Sequence, residues 1–296
     1  MIQAFLDYLE IEKKYSPHTV LAYKNDLERF ERFCKEVYEV DDLRVVSYVQ
    51  VRAWVIELVD SGISNRSVNR KTSSLRSFYN FLQKTGDVSV HPLAKHKSLK
   101  MQRQVHTPFT EAEVTEALRL LGKGDDFEAV RNHLIVSLFY ATGIRRSELI
   151  GIQLESMDLV KKTIKIKGKR NKERLVLLLP FVEEVLDKYL TKRKEVVLER
   201  GESPYLFLTK RGVKVYETLV YRIINSYFSR VSSKVKKSPH MLRHAFATHL
   251  LNHGASLNSV KELLGHESLA ATQVYTHNDL EEIKKVFNMA HPRGSK

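Results

Sequence analysis

The sequence has little of what stabilises secreted domains, binds structural zinc or spans membranes. Its 296 residues include a single cysteine, Cys34, so no intramolecular disulfide can form and cysteine-rich zinc modules are excluded. The longest apolar runs, Leu134 to Ala141 and Leu175 to Val182, fall far short of the roughly 20 residues needed to span a bilayer. The opening residues, MIQAFLDYLEIEKKY, carry acidic side chains where a secretory signal needs a basic start and an apolar stretch. We therefore expect a cytoplasmic protein without membrane insertion.

Several catalytic signatures are also missing. The sequence contains no G-x-x-x-x-G-K-S/T phosphate loop and no H-E-x-x-H motif, which leaves nucleotide-driven and zinc-protease chemistry unsupported. His240 and His244 stand four residues apart, as do His249 and His253, and each pair would suit a metal on one helix face. Arg243 would place a fixed cation beside such a metal, so we predict neither a metal nor a cofactor.

Acidic residues are outnumbered by basic ones, and the excess is uneven. Lys and Arg total 49 against 35 for Asp and Glu, which gives a net charge of +14 and a pI near 9.6. Residues 1–64 carry −4, residues 65–104 carry +8 and residues 161–174 carry +7. The total predicts attraction to a polyanion, and an ordinary solvated basic surface is the alternative. Because the positive charge is concentrated in two segments, the sequence favours a surface that binds nucleic acid.

The pattern predicts a mainly α fold with a small antiparallel β-sheet. Hydrophobic residues make up 43% of the chain, enough for a core. Residues 1–90 predict a helical bundle with core aromatics, and Ser16-Pro17 is a typical helix start. Residues 91–109 are polar and basic and predict an interdomain linker. Residues 110–296 predict an α+β domain that opens with a capping box at Thr110 and Glu113.

The second half alternates helical and strand patterns. The pattern predicts a buried helix from Val130 to Ala141 that ends at Thr142-Gly143, then a short helix from Arg145 to Gly151. Residues 163–167 alternate apolar and basic side chains, as a half-buried strand does, and pair in our prediction with residues 174–179. Residues 169–172 would form the turn of this hairpin.

Two short motifs combine arginine with a polar partner. In T-G-I-R-R-S-E-L at 142–149, Arg145 begins a helix and Glu148 can buttress its guanidinium, which would grip a phosphate. In H-M-L-R-H at 240–244, His240 and Arg243 share a helix face after Pro239. Alone, an ordinary helix-start ion pair explains the first motif. A core histidine beside a surface arginine explains the second.

Further motifs follow in a specific order. G-H-E-S at 265–268 contains His266, and T-x-x-Y-T-H at 272–277 contains Tyr275 in unusually polar surroundings. With S-x-x-T-x-x-x-Y at 16–23, R-K-T-S-S-L-R-S-F-Y-N-F-L at 70–82 and G-K-R-N-K-E-R at 168–174, the whole chain resembles the tyrosine site-specific recombinases. Within them it resembles the Xer recombinases of bacterial and archaeal chromosomes.

This resemblance implies an active site, a reaction and a shape. Its motifs fall on these six positions: Arg145, Lys169, His240, Arg243, His266 and Tyr275. Tyr275 would be the nucleophile that forms a 3′-phosphotyrosyl link to DNA. A SAM-like core-binding domain and a catalytic domain would form a C-shaped clamp around one duplex. Ile144 and Arg170 depart slightly from the family pattern, and Lys172 competes with Lys169 for the role of general acid.

The resemblance also guides the DNA-contact and assembly predictions. The most basic predicted helix carries Arg70, Lys71 and Arg76, which we expect to contact DNA, as we expect of Lys172 in the hairpin turn. The tail places Leu280, Ile283, Val286 and Phe287 on one helix face. This helix either docks on its own domain or, as is common in the family, is donated to a neighbour. Donation would build a homo- or hetero-tetramer, the latter with a paralogous recombinase.

Alternative functions stay open. The first is Xer-type resolution of chromosome dimers at cell division, with a septal DNA translocase as activator. The second is a small integrase of a mobile element. The short N-terminal domain leaves little room for an extra module that binds arm sites, which favours the first alternative. A type IB topoisomerase would share the chemistry. A non-catalytic architectural DNA-binding protein is a different class and predicts a decayed active site, whereas all six motif residues are present.

Overall fold

In the computed structural model, residues 1–101, 107–168, 173–265 and 289–294 are described. The chain divides into two compact units, Met1–Gln104 and Val105–Lys296. Each unit has a hydrophobic core of its own. In the described residues, no helix is long and apolar enough to cross a membrane.

The N-terminal unit is a helical bundle. Its α-helices are α1 (Ile2–Asp7), α2 (Pro17–Tyr38), α3 (Tyr48–Asp60) and α4 (Asn65–Thr85), with a π-helical turn at Tyr8–Glu12 and a 3-10 turn at Leu43–Val45. The predicted start of α2 is confirmed, because Ser16 accepts a hydrogen bond from the Thr19 N–H and Pro17 occupies the first helical position. Gly86 ends α4 in the left-handed conformation, which glycine adopts without a Cβ penalty.

Aromatic side chains fill the core of this bundle. Trp54, Phe30, Phe78 and Tyr79 are fully buried, and the ring centroids of Phe30 and Trp54 lie 5.0 Å apart. The prediction that these aromatics form core rather than a base-stacking surface is confirmed.

The start of the basic segment that follows α4 packs along that helix. Leu93 is buried in the N-terminal core. The Asn69 side chain donates to the carbonyl of Leu99 at 2.9 Å and accepts from its N–H at 2.8 Å. Asn65 donates to the carbonyl of Lys100 at 2.9 Å. The positive charge of residues 91–101 is therefore held beside α4 by side-chain to backbone hydrogen bonds.

The second unit combines seven helices of the described residues with a small sheet. Its helices are α5 (Glu111–Leu121), α6 (Phe127–Thr142), α7 (Arg146–Ile150), α8 (Pro180–Arg200), α9 (Glu217–Ser229), α10 (Pro239–Asn252) and α11 (Leu257–Leu263), with a 3-10 turn at Leu154–Ser156. Its strands are β1 (Met157–Asp158), β2 (Thr163–Lys167) and β3 (Glu173–Leu177). The capping box at Thr110 and Glu113 is present, as predicted.

The sheet is antiparallel in the order β1-β2-β3. Ile164 pairs with Val176, so the predicted hairpin is confirmed. The predicted turn at 169–172 lies outside the described residues. Strand β1 was not predicted, because two residues are too short to show an alternating pattern.

Helix α6 is the central element of the second unit. All of its residues from Leu134 to Thr142 are buried, and it packs against α5, α8 and α10. Residues 289–294 also return to this core: Ala290 is buried and the His291 ring hydrogen-bonds the carbonyl of Tyr140 at 3.2 Å. The core thus fixes the end of α6, where the arginine motif begins.

Candidate active site

The loop after α6 requires a glycine. Gly143 has φ +57°, and a Cβ built there would lie 2.5 Å from Phe246 Cδ1 and 2.7 Å from Leu264 Cδ2. Any side chain would therefore clash with two buried hydrophobic groups. This tight turn delivers Arg145 to the N-cap position of α7.

Arg145 is held by its own helix, as the sequence predicted. Its N–H donates to Glu148 Oε2 at 2.8 Å, and its Nη1 donates to Glu148 Oε1 at 2.7 Å. Nη2 donates to the carbonyl of Gly265 at 3.2 Å. The side chain remains 33% exposed, so a substrate can reach the guanidinium.

Arg243 approaches the same loop from α10. Pro239 occupies the first turn of this helix after the N-cap Ser238, and Arg243 follows one turn later. Its guanidinium donates to the carbonyl of Gly143 and, at 2.8 Å, to the carbonyl of Leu264. Burial first, and then the positive charges of Arg145 and Arg174, lower the pKa of Arg243 to about 10.

Arg174 on β3 completes the cluster and was not assigned a role from sequence. Nη1 and Nη2 donate to Glu148 Oε1 and Oε2 at 2.9 and 2.8 Å. Its register offered a signal: Arg174 and Val176 share the buried face of β3, and an inward-facing arginine in a strand needs a carboxylate or comparable partner.

Glu148 is the carboxylate that Arg145 and Arg174 share. Burial alone would raise its pKa. The hydrogen bonds and charge of Arg174, with the hydrogen bonds from Arg145, outweigh burial and lower the pKa of Glu148 to about 2. Three guanidiniums thus face one ionised carboxylate in the described part of the site. An excess of two positive charges remains, which suits a phosphate.

His240 lies in the first turn of α10, on the same side as these arginines. Although the residue is exposed, partial burial of its ring lowers the pKa of His240 below the ordinary 6.5, and the charges of Arg146, Arg243, Lys236 and Arg145 lower it further. The neutral form of the ring, which can accept a proton, is therefore favoured.

Four predicted site residues lie outside the described residues: Lys169, Lys172, His266 and Tyr275. The tail positions Leu280, Ile283, Val286 and Phe287 lie outside them as well. The structure brings together Arg145, His240 and Arg243 from the predicted catalytic set.

His249 in α10 and His253 at its C-cap have structural partners. His249 hydrogen-bonds the Tyr140 hydroxyl at 3.1 Å and the carbonyl of Phe109 at 2.9 Å. His253 pairs with Glu111 at 2.8 Å. In the described ranges, no cluster of three or more His, Cys, Asp or Glu side chains is arranged to hold a metal.

The residues predicted to contact DNA lie on α4. Arg70 and Lys71 both pair with the buried Asp26, at 2.5 and 2.8 Å, and their side chains are 51% and 14% exposed. Arg76 is exposed and donates to the carbonyl of His96 at 3.0 Å. These contacts leave Arg70 and Arg76 accessible and turn the Lys71 ammonium inward. Contact with DNA stays a prediction for all three.

Comparisons with known proteins identify the family. The model of the phage integrase family matches residues 107–282, and the model of the phage integrase N-terminal SAM-like domain matches residues 2–86. Tyrosine recombinase XerC of Anoxybacillus flavithermus is 40% identical, over 99% of this chain and 97% of that protein. The chain belongs to the phage integrase family of tyrosine recombinases. Enzymes of this family cut and rejoin DNA strands.

Two further relatives match this tyrosine recombinase over nearly its whole length. Tyrosine recombinase XerC of Chlorobaculum parvum is 37% identical, over 98% of this chain and 94% of that protein. Tyrosine recombinase XerD of Shewanella oneidensis is 38% identical, over 99% of this chain and 97% of that protein. The resemblance drawn from the motifs is confirmed.

Solved recombinase structures share the fold. The XerH site-specific recombinase bound to its palindromic difH substrate matches with a TM-score of 0.72 at 20% identity, over 98% of this chain and 84% of that one. The Tn1549 transposon integrase in complex with circular intermediate DNA matches with a TM-score of 0.69 at 17% identity, over 96% of this chain and 98% of that one. The predicted fold class, mainly α with a small antiparallel sheet, is confirmed for this recombinase.

Proposed function

We propose that this protein is a Xer-type site-specific recombinase that cuts duplex DNA through Tyr275. The Tyr275 Oη attacks the phosphorus of a phosphodiester, a 3′-phosphotyrosyl bond forms, and the P–O5′ bond breaks to release a 5′-hydroxyl. A 5′-hydroxyl from a second duplex then attacks the phosphotyrosyl phosphorus and expels Tyr275. The number of phosphoester bonds is conserved, so strands are exchanged without an external energy source.

The observation that carries this proposal is the uncompensated charge around Glu148. Arg145, Arg174 and Arg243 approach one carboxylate, and the pKa of Arg243 is lowered first by burial and then by the positive charges of the other two. A phosphate seated against Arg145 and Arg243 would relieve that repulsion. The stabilisation grows in the transition state, where negative charge gathers on the non-bridging oxygens. Loss of one such donor costs about 3 to 4 kcal/mol of barrier.

Three further residues complete the proposed mechanism: two transfer protons and the third donates a hydrogen bond. The neutral His240 accepts the proton from the Tyr275 hydroxyl, whose unperturbed pKa is about 10. Lys169 donates a proton to the departing 5′-oxygen as general acid. His266 adds a hydrogen bond to a non-bridging oxygen.

The two basic segments are proposed to bind the DNA backbone. In the first segment, 65–104, the described residues 65–101 hold their charge on and beside α4, where Arg70 and Arg76 are accessible. Residues 161–174 carry Lys169 and Lys172. The protein would act in the cytoplasm at the nucleoid, as a tetramer whose protomers exchange the C-terminal helix.

We further propose that the biological role is resolution of chromosome dimers at cell division, with a paralogous recombinase and a septal translocase as partners. Relatives named XerC and XerD match over nearly their full lengths, which supports this role over that of a mobile-element integrase.

A suicide-substrate assay tests the proposal. Nicked duplexes that carry candidate chromosomal sites are incubated with the protein, and a covalent protein–DNA adduct is expected. Tyr275→Phe must abolish the adduct while duplex binding persists. An adduct from Tyr275→Phe would show that the nucleophile is wrong. Duplex binding without an adduct at every site would favour an architectural protein.

A further inference from the structure

We propose that Arg174 is a positioning residue of the active site, which orients Arg145 towards the phosphate through the shared carboxylate of Glu148. This inference rests on the proposed function, because it assigns Arg145 to the phosphate.

Exposure separates the roles of the two arginines. The side chain of Arg145 is 33% exposed, whereas those of Arg174 and Glu148 are 8% and 2% exposed. A substrate can therefore touch Arg145, while Arg174 acts on it from behind Glu148.

The carboxylate of Glu148 is saturated by these two residues. Oε1 accepts from Arg145 Nη1 at 2.7 Å and from Arg174 Nη1 at 2.9 Å. Oε2 accepts from the Arg145 N–H at 2.8 Å and from Arg174 Nη2 at 2.8 Å. An ionised carboxylate has about four acceptor positions, so Arg174 fixes the plane in which Arg145 must lie. Without Arg174, two of the four hydrogen bonds to this buried carboxylate would be lost.

Arg174 also packs against the other partner of Arg145. A Cβ built on Gly265 would lie 3.2 Å from Arg174 Cδ, and the carbonyl of Gly265 accepts from Arg145 Nη2 at 3.2 Å. One buried side chain thus contacts both groups that orient Arg145. It does so from β3, the strand that begins at Glu173.

The charged groups around Glu148 make this role measurable as a pH dependence. Arg145 faces it from its own helix, Arg174 from β3, and Arg243 from α10. Removal of Arg174 takes away the largest favourable interaction of the ionised carboxylate, and burial then raises its pKa. Once protonated, Glu148 is neutral and one of its oxygens is a hydroxyl, so it holds Arg145 more weakly.

The test compares single-turnover cleavage of a suicide duplex between pH 5 and 8.5. Arg174→Met is expected to slow cleavage about 10- to 100-fold at pH 5.5, the usual effect of losing a supporting partner, and less at pH 8.5. Both proteins retain His240, so its titration cancels in the ratio of their rates. Arg174→Lys keeps the charge but not the paired donors. Its cleavage rate is expected to fall between those of the wild-type protein and Arg174→Met.

Arg193→Met is the matched control. Arg193 is also buried, at 6% exposed, but it donates to the backbone carbonyls of Ser203, Tyr205 and Leu206. Its loss should lower the unfolding temperature without making the cleavage rate ratio depend on pH. Duplex binding should be retained by every variant.

The Glu148→Gln background covers the case in which Arg174→Met alone does not fold. Adding Arg174→Met to Glu148→Gln should slow cleavage by less than about threefold, because both changes break one unit. A further loss of about tenfold or more in that background, or a loss for Arg174→Met alone that does not vary with pH, would overturn the positioning role. If the wild-type protein forms no adduct at any site, the proposed function fails instead.

Discussion

Replacing Gly143 by alanine should damage both the stability of the catalytic unit and its arginine site. The added Cβ would lie 2.5 Å from Phe246 Cδ1 and 2.7 Å from Leu264 Cδ2, within a backbone turn at φ +57°. Atoms cannot remain that close, so either the turn or the two side chains must move. Because Gly143 offers its carbonyl to Arg243, movement of the turn displaces that guanidinium.

The expected loss has two parts. An L-residue in the left-handed region costs about 1 to 2 kcal/mol, and overpacking of a core costs about 1 to 3 kcal/mol more. Gly254 supplies a control for the first part, since it has φ +90° and nothing within 4 Å of an added Cβ. Gly254→Ala should therefore cost only about 1 to 2 kcal/mol.

Thermal unfolding followed by circular dichroism separates the two parts. Gly143→Ala should unfold about 2 to 12 °C below Gly254→Ala, given overpacking of about 1 to 3 kcal/mol and the usual 2 to 4 °C per kcal/mol for a domain of this size. Well below its unfolding temperature, Gly143→Ala should also cleave a suicide duplex about 100-fold more slowly, the effect of a misplaced catalytic group. Equal unfolding temperatures for the two variants would refute the crowding argument.

Two further predictions concern buried titratable groups, Asp26 in the N-terminal unit and His291 in the second unit. Asp26→Asn should destabilise the N-terminal unit by about 3 to 5 kcal/mol in a denaturant titration, because it leaves the ammonium of Lys71, only 14% exposed, without its carboxylate. The control Asp42→Asn, at an exposed ion pair, should leave the stability almost unchanged. Burial lowers the pKa of His291 to about 4, below its unfolded value of 6.5, so its contribution is complete above pH 6.5 and is lost as the pH falls towards 4. Unfolding free energies measured from pH 7 to 5 should therefore fall less steeply in His291→Phe, by up to about 1.4 kcal/mol per pH unit, and an unchanged slope would contradict the buried, neutral assignment.

Helices could be predicted from sequence because their starts and stops carry local chemistry. Ser16 and Thr110 cap the helices that they were expected to begin, and Gly86 and Gly143 end theirs at left-handed residues. Each of these signals depends on a backbone hydrogen bond or a backbone angle within a few residues. Strand β1 has no such signal, since two residues show no period.

The site was predictable where its contacts are local and not where they are long-range. The pair of Arg145 and Glu148 spans three residues, so its spacing alone indicated a buttress. The pair of Arg174 and Glu148 joins β3 to α7 across 26 residues. Only the fold brings them together. The inward register of β3 indicated that Arg174 needs a partner but did not indicate which carboxylate supplies it.

The choice of partners explains how a cluster of arginines can be fixed in place and still attract a phosphate. A guanidinium paired one-to-one with a carboxylate would be well oriented but electrically neutral. Arg243 instead donates to the carbonyls of Gly143 and Leu264, and Arg145 shares its single carboxylate with Arg174. Carbonyl oxygens satisfy the N–H groups without cancelling the charge. Because backbone carbonyls supply this orientation, each loop must bring its carbonyl close to a guanidinium, and the turns at Gly143 and Gly265, both with positive φ, place these loops there.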